Sequence, residues 1–485
     1  MHARERSDAR WLAGLVVFAL LFWCFDLALL RAGVPAPLDD TWEYGVAARH
    51  LLAGDGFRTD VIHPPLWTLR DARLTVPVLV HGPLLPVLLA PLVALHGERA
   101  TGSVAPLAAA AALIAAWLTA RLGARAFGAP VGVAAGALFT LAPITVRAAH
   151  HDPSLLIGAA LLAGALDLML RTAPRALAAG VALGLAGLAR AEMSLAILAL
   201  APLAGRRGVV PMLAGAMLCL APWWIHTALA TGQPWFNLSS YLLIGYTPAH
   251  PGLSVLRDFS LPPAAFPRAL SAALPSLPAK WAETFPHALK RVLLTPTGGT
   301  GWLAALGGTL TLVRAWTTPR GARMLALVAR LLPLVALAAI PVAIMILMVY
   351  DTRYLVPFLP LWTLAAARGA EALSAALPEW GRRPRAWCGA LALLALPSVA
   401  PALREEQREA RIQERASAAE RVELRAWATG SRTPIFSDTP DFVAYETRRP
   451  VIWMTEREYR ALESSPDSAG RPRPADHWFH RSSHE

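Results

Sequence analysis

Apolar runs of about 20 residues, rich in Ala, Leu and Val, recur along this chain, separated by short links that carry arginine. A helix of that length, rising about 1.5 Å per residue, crosses the roughly 30 Å hydrocarbon core of a bilayer. Inside lipid every backbone N–H and C=O must be satisfied within the protein, so repeated runs of this kind dictate a helix bundle. Abundant Ala makes each run only moderately apolar, which suits helices that pack on one another rather than isolated anchors. Charged residues make up only 16% of the 485, against about a quarter in a soluble domain.

The formal net charge of +12 does not point to nucleic acid. The arginines lie in short links between apolar runs, where basic residues keep a loop in the cytoplasm. Phosphate-backbone binding needs a basic cluster on a soluble face. The expected surroundings are membrane lipids. Cys24, Cys219 and Cys388 all fall inside apolar stretches and read as small buried hydrophobes rather than a disulfide framework. The basic N-terminal segment and the apolar run from Trp11 to Leu30 are not closed by an A-x-A-like site. A retained first helix is therefore expected.

Placing Arg4, Arg6 and Arg10 in the cytoplasm sends 31–76 outside. The piece from Gly82 to Leu95 is too short to span and holds Pro83, Pro86 and Pro91, as in an interfacial or re-entrant helix. Spans are expected at 104–122, 131–146 and 209–228, and near 302–313, 324–349, 354–367 and 386–400. A long external loop covers 231–300. With this alternation the Arg-rich short links, including Arg121, Arg125, Arg171, Arg206 and Arg207, fall on one side. Beyond Pro401 the composition changes. Arg404 to Ala426 is charged with a helical pattern, and PIFSDTPDFVAYETRRPVIWMT reads as strand, helix turn, strand. The expected fold is an all-α polytopic membrane bundle of about eleven transmembrane helices, with external juxtamembrane helices and a small C-terminal α/β domain. The boundaries are 1–400 for the bundle and 401–485 for the external domain, which ends in a disordered tail.

Three motifs could carry chemistry. Asp39-Asp40-Thr-Trp-Glu43-Tyr44 follows the first helix. Its paired carboxylates could bind a divalent cation or take a proton from a hydroxyl. Alternatively, Asp40 and Glu43 form a capping box for a helix running to Leu52. His150-His151-Asp152-Pro153 opens the next external loop, and Asp followed by Pro is also how a helix begins. In Asp351-Thr-Arg353-Tyr354 the guanidinium suits phosphate oxygens, although Arg and Tyr at a helix end also anchor to the membrane interface. Arg190-Ala-Glu192 interrupts an apolar stretch and reads as an intramembrane ion pair. In the long loop, Trp235, Phe236, Tyr241, Tyr246, Trp281, His287, Lys280, Lys290 and Arg291 could line a sugar- and phosphate-binding cavity, although an aromatic belt at the membrane surface explains most of the aromatics as well.

The segment LDDTWEYGVAARHLLAGDGF (Leu38 to Phe57) resembles the first external loop of the GT-C superfamily of polyprenyl-phosphate-sugar-dependent glycosyltransferases. HGPLLP (His81 to Pro86), LAPITVRAAHHDP, GLARAE and RYLVPFLP support the likeness, and SDTPDFVAYETRRPVIWM is similar to the small external domain of bacterial members. The resemblance implies a multi-pass protein of the inner membrane, with its N-terminus cytoplasmic and its C-terminal domain external. It implies catalysis by Asp40 or Asp39, donor-phosphate contacts from Arg353, Tyr354, Lys280 and Arg291, and substrate or metal contacts from Asp152, His151 and His150. A divalent cation (Mg, Mn or Ca), held by Asp40 and Asp152, is the implied cofactor. The implied partners are a polyprenyl-phosphate-linked sugar donor and an extracytoplasmic glycan, lipid or protein acceptor. One departure stands out: the second loop holds a single acid flanked by histidines, not an acidic pair. Two other classes fit a polytopic chain. A lipid or small-molecule transporter or flippase would show inverted repeats and facing broken helices, and a structural subunit would use Asp39 and Asp40 only as caps.

Overall fold

The computed structural model describes residues 2–31, 40–97, 104–171, 174–294, 302–307, 309, 321–349, 351–374, 379, 383–428, 433–463 and 478–479. Asp39 and most of the C-terminal tail lie outside these. The chain divides into two compact units, one formed by 1–32, 105–222 and 283–407, the other by 33–104, 223–282 and 408–485.

The first unit is helical. Among the described residues, four helices are long and apolar enough to cross a bilayer, at Arg10–Ala28, Val104–Phe127, Ala191–Thr231 and Ala386–Arg408. A fifth candidate is the pair Ala129–Leu141 and Pro143–His151, bent by 51°. The sequence reading runs one span through 131–146, but Ala142 is extended and Pro143 starts a new helix there, because proline cannot continue the hydrogen-bond ladder. Shorter apolar helices, among them Pro153–Met169, Ala176–Ala189 and Leu332–Leu347, accompany them. Large side chains such as Leu21, Phe25, Leu198, Leu218, Leu229 and Leu393 are exposed on the long helices, as expected of surfaces that face lipid. Cys24 is exposed too, against the expectation that it is buried, whereas Cys219 and Cys388 are half-buried.

Glycines set how closely these helices approach. A Cβ on Gly180 would overlap the carbonyl of Met212, and one on Gly215 would overlap that of Leu177. The Ala176–Ala189 helix therefore meets Leu195–Thr231 backbone to backbone, the contact small residues permit where lipid supplies no hydrophobic drive. The same long helix breaks at Gly205 (φ 63°, ψ 174°), beside Arg206 and Arg207. The last apolar run does not end near Pro401. One helix, Pro384–Ala428, contains Pro397 and Pro401 and continues through the charged segment.

The second unit is built on a four-stranded parallel sheet in the order Val61–Ile62, Val451–Trp453, Ile435–Ser437, Trp478–Phe479. The expected strand, helix and strand of the C-terminal segment occur as Ile435–Ser437, Pro440–Thr447 and Val451–Trp453. The expectation of a disordered tail fails at Trp478–Phe479, which pairs with Phe436 and Ser437. An interior segment supplies the fourth strand, with Val61 opposite Val451 and Ile62 opposite Ile452.

Trp42, Val46, Val61, Leu424, Phe442 and Val451 share one buried cluster. Trp42 meets Phe442 edge-on at 5.5 Å and lies tilted on Tyr445 at 4.5 Å. Arg49 stacks on the Tyr445 ring and donates to its carbonyl at 2.9 Å. The helix Asp40–Ala53 is thus pinned to the C-terminal segment along one face, and its length matches the sequence expectation. Leu84–His96, with Pro91 inside it, is the short apolar helix expected over 82–95.

Candidate active site

In the second unit the Asp40–Ala53 helix places two acids, Asp40 and Glu43, in its first turn. Negative charge is favoured there because unpaired N–H groups point out of the helix end. The segment after the strand Val76–Pro77 then brings in His81. It is fixed by backbone and side-chain bonds, Leu238 N–H to the Leu79 carbonyl at 2.8 Å and the Asn237 amide to the Val80 carbonyl at 3.2 Å. His81 Nε2 lies 3.1 Å from Glu43 Oε2 and 4.0 Å from Asp40 Oδ1. Its Nδ1 lies 3.4 Å from the Tyr44 hydroxyl.

The carboxylate of Glu43 can only accept, so the Nε2 proton of His81 points to it and Nδ1 receives the Tyr44 hydroxyl. Glu43 and Tyr44 are buried, while Asp40 keeps about a fifth of its side chain exposed. The reciprocal capping box does not form. Glu43 turns to His81, and its second oxygen, Oε1, is buried without a hydrogen-bond partner. The outcome is a half-open carboxylate on Asp40 beside an imidazole whose proton is already directed to a buried acid. A part-exposed carboxylate can in general accept a proton from a hydroxyl that reaches it.

The first unit gathers three motifs that are far apart in sequence. Asp152 caps the Pro153–Met169 helix by accepting from Ser154 N–H at 3.1 Å, as Asp followed by Pro leads one to expect. It also pairs with Arg190, which pairs in turn with Glu192. Arg190 sits over the buried ring of Tyr354 at 5.5 Å, and Arg353 over the same ring at 5.8 Å. Arg353 also pairs with Asp351 at 3.0 Å. The flanking histidines reach outward: His150 to the buried Asp26 at 3.3 Å and His151 to the buried Glu406 at 2.9 Å. Asp26 and Glu406 escaped the sequence reading because no motif marks Asp26, and Glu406 is one of several acids in a charged helical segment.

Lys280 is buried. Its ammonium donates to the carbonyls of Leu242 and Leu243 at 2.7 and 3.0 Å, and burial pulls its pKa down to about 8. Arg291 stands exposed in the last turn of Leu277–Leu294. Of the loop aromatics, Phe236 and Tyr241 are core residues, with the Tyr241 hydroxyl bonded to the Leu261 carbonyl at 2.9 Å, and Trp235 is exposed.

Among the described residues, Asp40 and Asp152, the expected cation ligands, already face protein partners. Asp152 is committed to Arg190 and Ser154, and His81 Nε2 to Glu43. Among the described residues no group of three or more His, Cys, Asp or Glu is arranged to hold a metal ion.

No protein-family model and no curated protein matches the sequence. Solved structures do match. ArnT from Cupriavidus metallidurans bound to undecaprenyl phosphate aligns over 92% of this chain and 86% of its own, with a TM-score of 0.54 at 13% identity. The Archaeoglobus fulgidus oligosaccharyltransferase in the apo form aligns over 92% and 65%, with a TM-score of 0.57 at 11% identity. The archaeal oligosaccharyltransferase AglB from Archaeoglobus fulgidus, in complex with an inhibitory peptide and a dolichol-phosphate, aligns over 91% and 64%, with a TM-score of 0.55 at 13% identity. The chain therefore spans less than two thirds of the archaeal enzyme. At these identities the likeness is one of fold.

Proposed function

We propose that this chain, which has the GT-C fold, is a membrane glycosyltransferase that moves a sugar from a polyprenyl phosphate to an extracytoplasmic acceptor with inversion. The observation that carries the reading is the Asp40 carboxylate, part-exposed at a helix N-terminus beside the Glu43–His81–Tyr44 chain. Asp40 accepts the proton of an acceptor hydroxyl as that oxygen bonds to the anomeric carbon. The anomeric C–O bond breaks on the opposite face, and its electron pair leaves with the polyprenyl phosphate. The Arg353 guanidinium, a planar fork suited to phosphate oxygens, neutralises the departing phosphate, and the Tyr354 hydroxyl donates a hydrogen bond to it. Arg291 and Lys280 are further candidates for that contact, and Asp152, His150 and His151 for the acceptor. For Lys280 the role requires exchanging two carbonyl bonds for the phosphate.

The solved relatives named above carry undecaprenyl phosphate and dolichol-phosphate, which agrees with a lipid-linked donor. Arg121, Arg125 and Arg171 converge on the buried Asp167 near the end of the Pro153–Met169 helix, and Asp152 caps its start. With basic residues kept inside, that arrangement supports a cytoplasmic Asp167 end and an external Asp152 end. The proposed topology is about eleven spans in the inner membrane with a cytoplasmic N-terminus.

The test is transfer of label in proteoliposomes from a panel of radiolabelled polyprenyl-phosphate sugars, comparing wild type with folded Asp40→Asn. Label should move with at least one sugar, and the variant should lose about 10²–10⁴ in kcat, the usual contribution of a general base. If no sugar transfers, or Asp40→Asn keeps full activity, the base is not Asp40. The transporter class, with its helix break at Arg190, then becomes the better reading.

A further inference from the structure

At the end of Pro153–Met169 away from its Asp152 cap, one buried acid of the first unit meets three guanidinia. The Asp167 carboxylate lies 3.4 Å from Arg121 Nε and 3.0 Å from Arg171 Nη2, and pairs with Arg125 Nη1. Trp117, Arg121 and Arg125 recur every fourth residue toward the end of Val104–Phe127 and so share one stripe of that helix. The Arg121 guanidinium sits over the Trp117 ring at 5.3 Å. One carboxylate leaves two of the three positive charges unmatched. Exposed Arg175, whose N–H donates to the Leu168 carbonyl at 3.1 Å, adds another beside the same helix end. Arg368, over the Phe127 ring at 5.7 Å, adds nothing to the surplus because Glu371 pairs with it. Three guanidinia also bring about fifteen N–H donors to a carboxylate with about four acceptor sites. Their side chains are 30%, 38% and 26% exposed for Arg121, Arg125 and Arg171, so donors are left over at the surface. Exposed apolar side chains accompany them along the chain. Ile114 stands on the Arg121 stripe two turns earlier, Phe127 follows Arg125, and Leu170 adjoins Arg171.

We propose that Arg121, Arg125 and Arg171 hold the phosphate headgroup of an anionic phospholipid, with its acyl chains against the apolar side chains beside them. Guanidinium forks match phosphate oxygens, and basic pockets between membrane helices are where anionic headgroups are recognised. Asp167 repels the phosphate, but its charge is already shared among three cations. A zwitterionic headgroup brings its own ammonium and gains less from the surplus. A free phosphate would leave Ile114, Phe127 and Leu170 uncovered. On the topology proposed above the lipid belongs to the cytoplasmic leaflet; its binding rests neither on that assignment nor on sugar transfer.

The experiment is native mass spectrometry of the detergent-solubilised full chain with phosphatidylglycerol, with phosphatidylethanolamine of the same acyl chains, and with inorganic phosphate as competitor. Wild type should hold phosphatidylglycerol about tenfold or more tightly than phosphatidylethanolamine, since each basic residue near an anionic headgroup contributes about fivefold. Arg121→Gln should weaken phosphatidylglycerol by about that fivefold, and Arg121→Gln combined with Arg125→Gln by about 25-fold. Arg207→Gln, which removes an exposed arginine from a different link, should leave the binding unchanged. Inorganic phosphate should not displace the lipid. The site is overturned if wild type holds the two lipids equally, or if folded Arg121→Gln binds as wild type does. It is overturned too if Arg207→Gln weakens binding as much as Arg121→Gln, because any basic link would then serve. Displacement by inorganic phosphate overturns the lipid as occupant. Crosslinking of wild type with photoactivatable phosphatidylglycerol needs no variant, so it survives a substitution that fails to fold. Label should fall on peptides within 114–127 or 167–177, and label confined to other peptides overturns the site. A wild type that holds the lipid but transfers no sugar removes the transferase reading and leaves this site. An active transferase that shows no preference for phosphatidylglycerol removes this site and leaves the transferase reading.

Discussion

His50 and His63 stand thirteen residues apart and respond to pH in opposite senses. His50 lies between two carboxylates, with Nδ1 3.1 Å from Asp55 and Nε2 3.1 Å from Asp60. Burial works against its charge, but the bonds to Asp60 and Asp55 outweigh that and raise its pKa above 6.5. The stability it lends is complete below pH 6.5 and fades as pH rises through the folded value. His63, depressed to about 4, stays neutral in the fold while the unfolded chain takes a proton, so it costs stability as pH falls from 6.5 toward 4. Melting of the folded protein should therefore show His50→Gln lowering the midpoint at pH 6 more than at pH 9. His63→Phe should flatten the decline between pH 6.5 and 4. A His50→Gln penalty independent of pH would show that the clamp does not depend on charge. Neither role was visible in the sequence, where both histidines are isolated letters. Asp40, by contrast, was singled out by its place after the first helix, and it lies in the first turn of Asp40–Ala53.

Elements that follow local rules were legible, and those decided by remote contacts were not. The helix that begins at Pro153 starts where proline fits the first turn, and the strand–helix–strand of the C-terminal segment follows its apolar alternation, whereas the new helix at Pro143 was passed over. The Val61–Ile62 strand is too short to announce itself and exists because Val451 and Ile452 pair with it. Arg190 was legible as half of an ion pair with Glu192, but its bond to Asp152 joins residues from separate helices. Two substitutions test the elements. Trp42→Ala empties the contact with Phe442 and Tyr445 and should cost about 3–5 kcal/mol, measured as denaturant unfolding followed by fluorescence. An unchanged midpoint would mean that this helix is not fixed by that cluster. Gly180→Leu forces a side chain against the Met212 carbonyl. It should lower thermal stability far more than Gly14→Leu, where a Cβ meets nothing within 4 Å.

Across the whole molecule, the basic residues predict how the chain is threaded. Arg206 and Arg207 follow the break at Gly205, and the three arginines around Asp167 gather at one end of a helix. Alkaline phosphatase fused after Arg207 should stay inactive in the cytoplasm, and a fusion after Asp258 should be active outside. The reverse pattern would invert the proposed topology. The parallel pairing of Ile62 with Ile452 also sets a schedule for biogenesis. A ribosome that has just made Ile62 needs about 390 more residues before the partner strand exists, which at 5–20 residues per second is about 20–80 s. Throughout that interval the segment bearing Asp40, Glu43 and His63 is already synthesised but lacks the strand that completes its sheet. A premature stop near the C-terminus therefore acts as a lesion of the first loop, and the last stretch translated decides when the candidate site first exists.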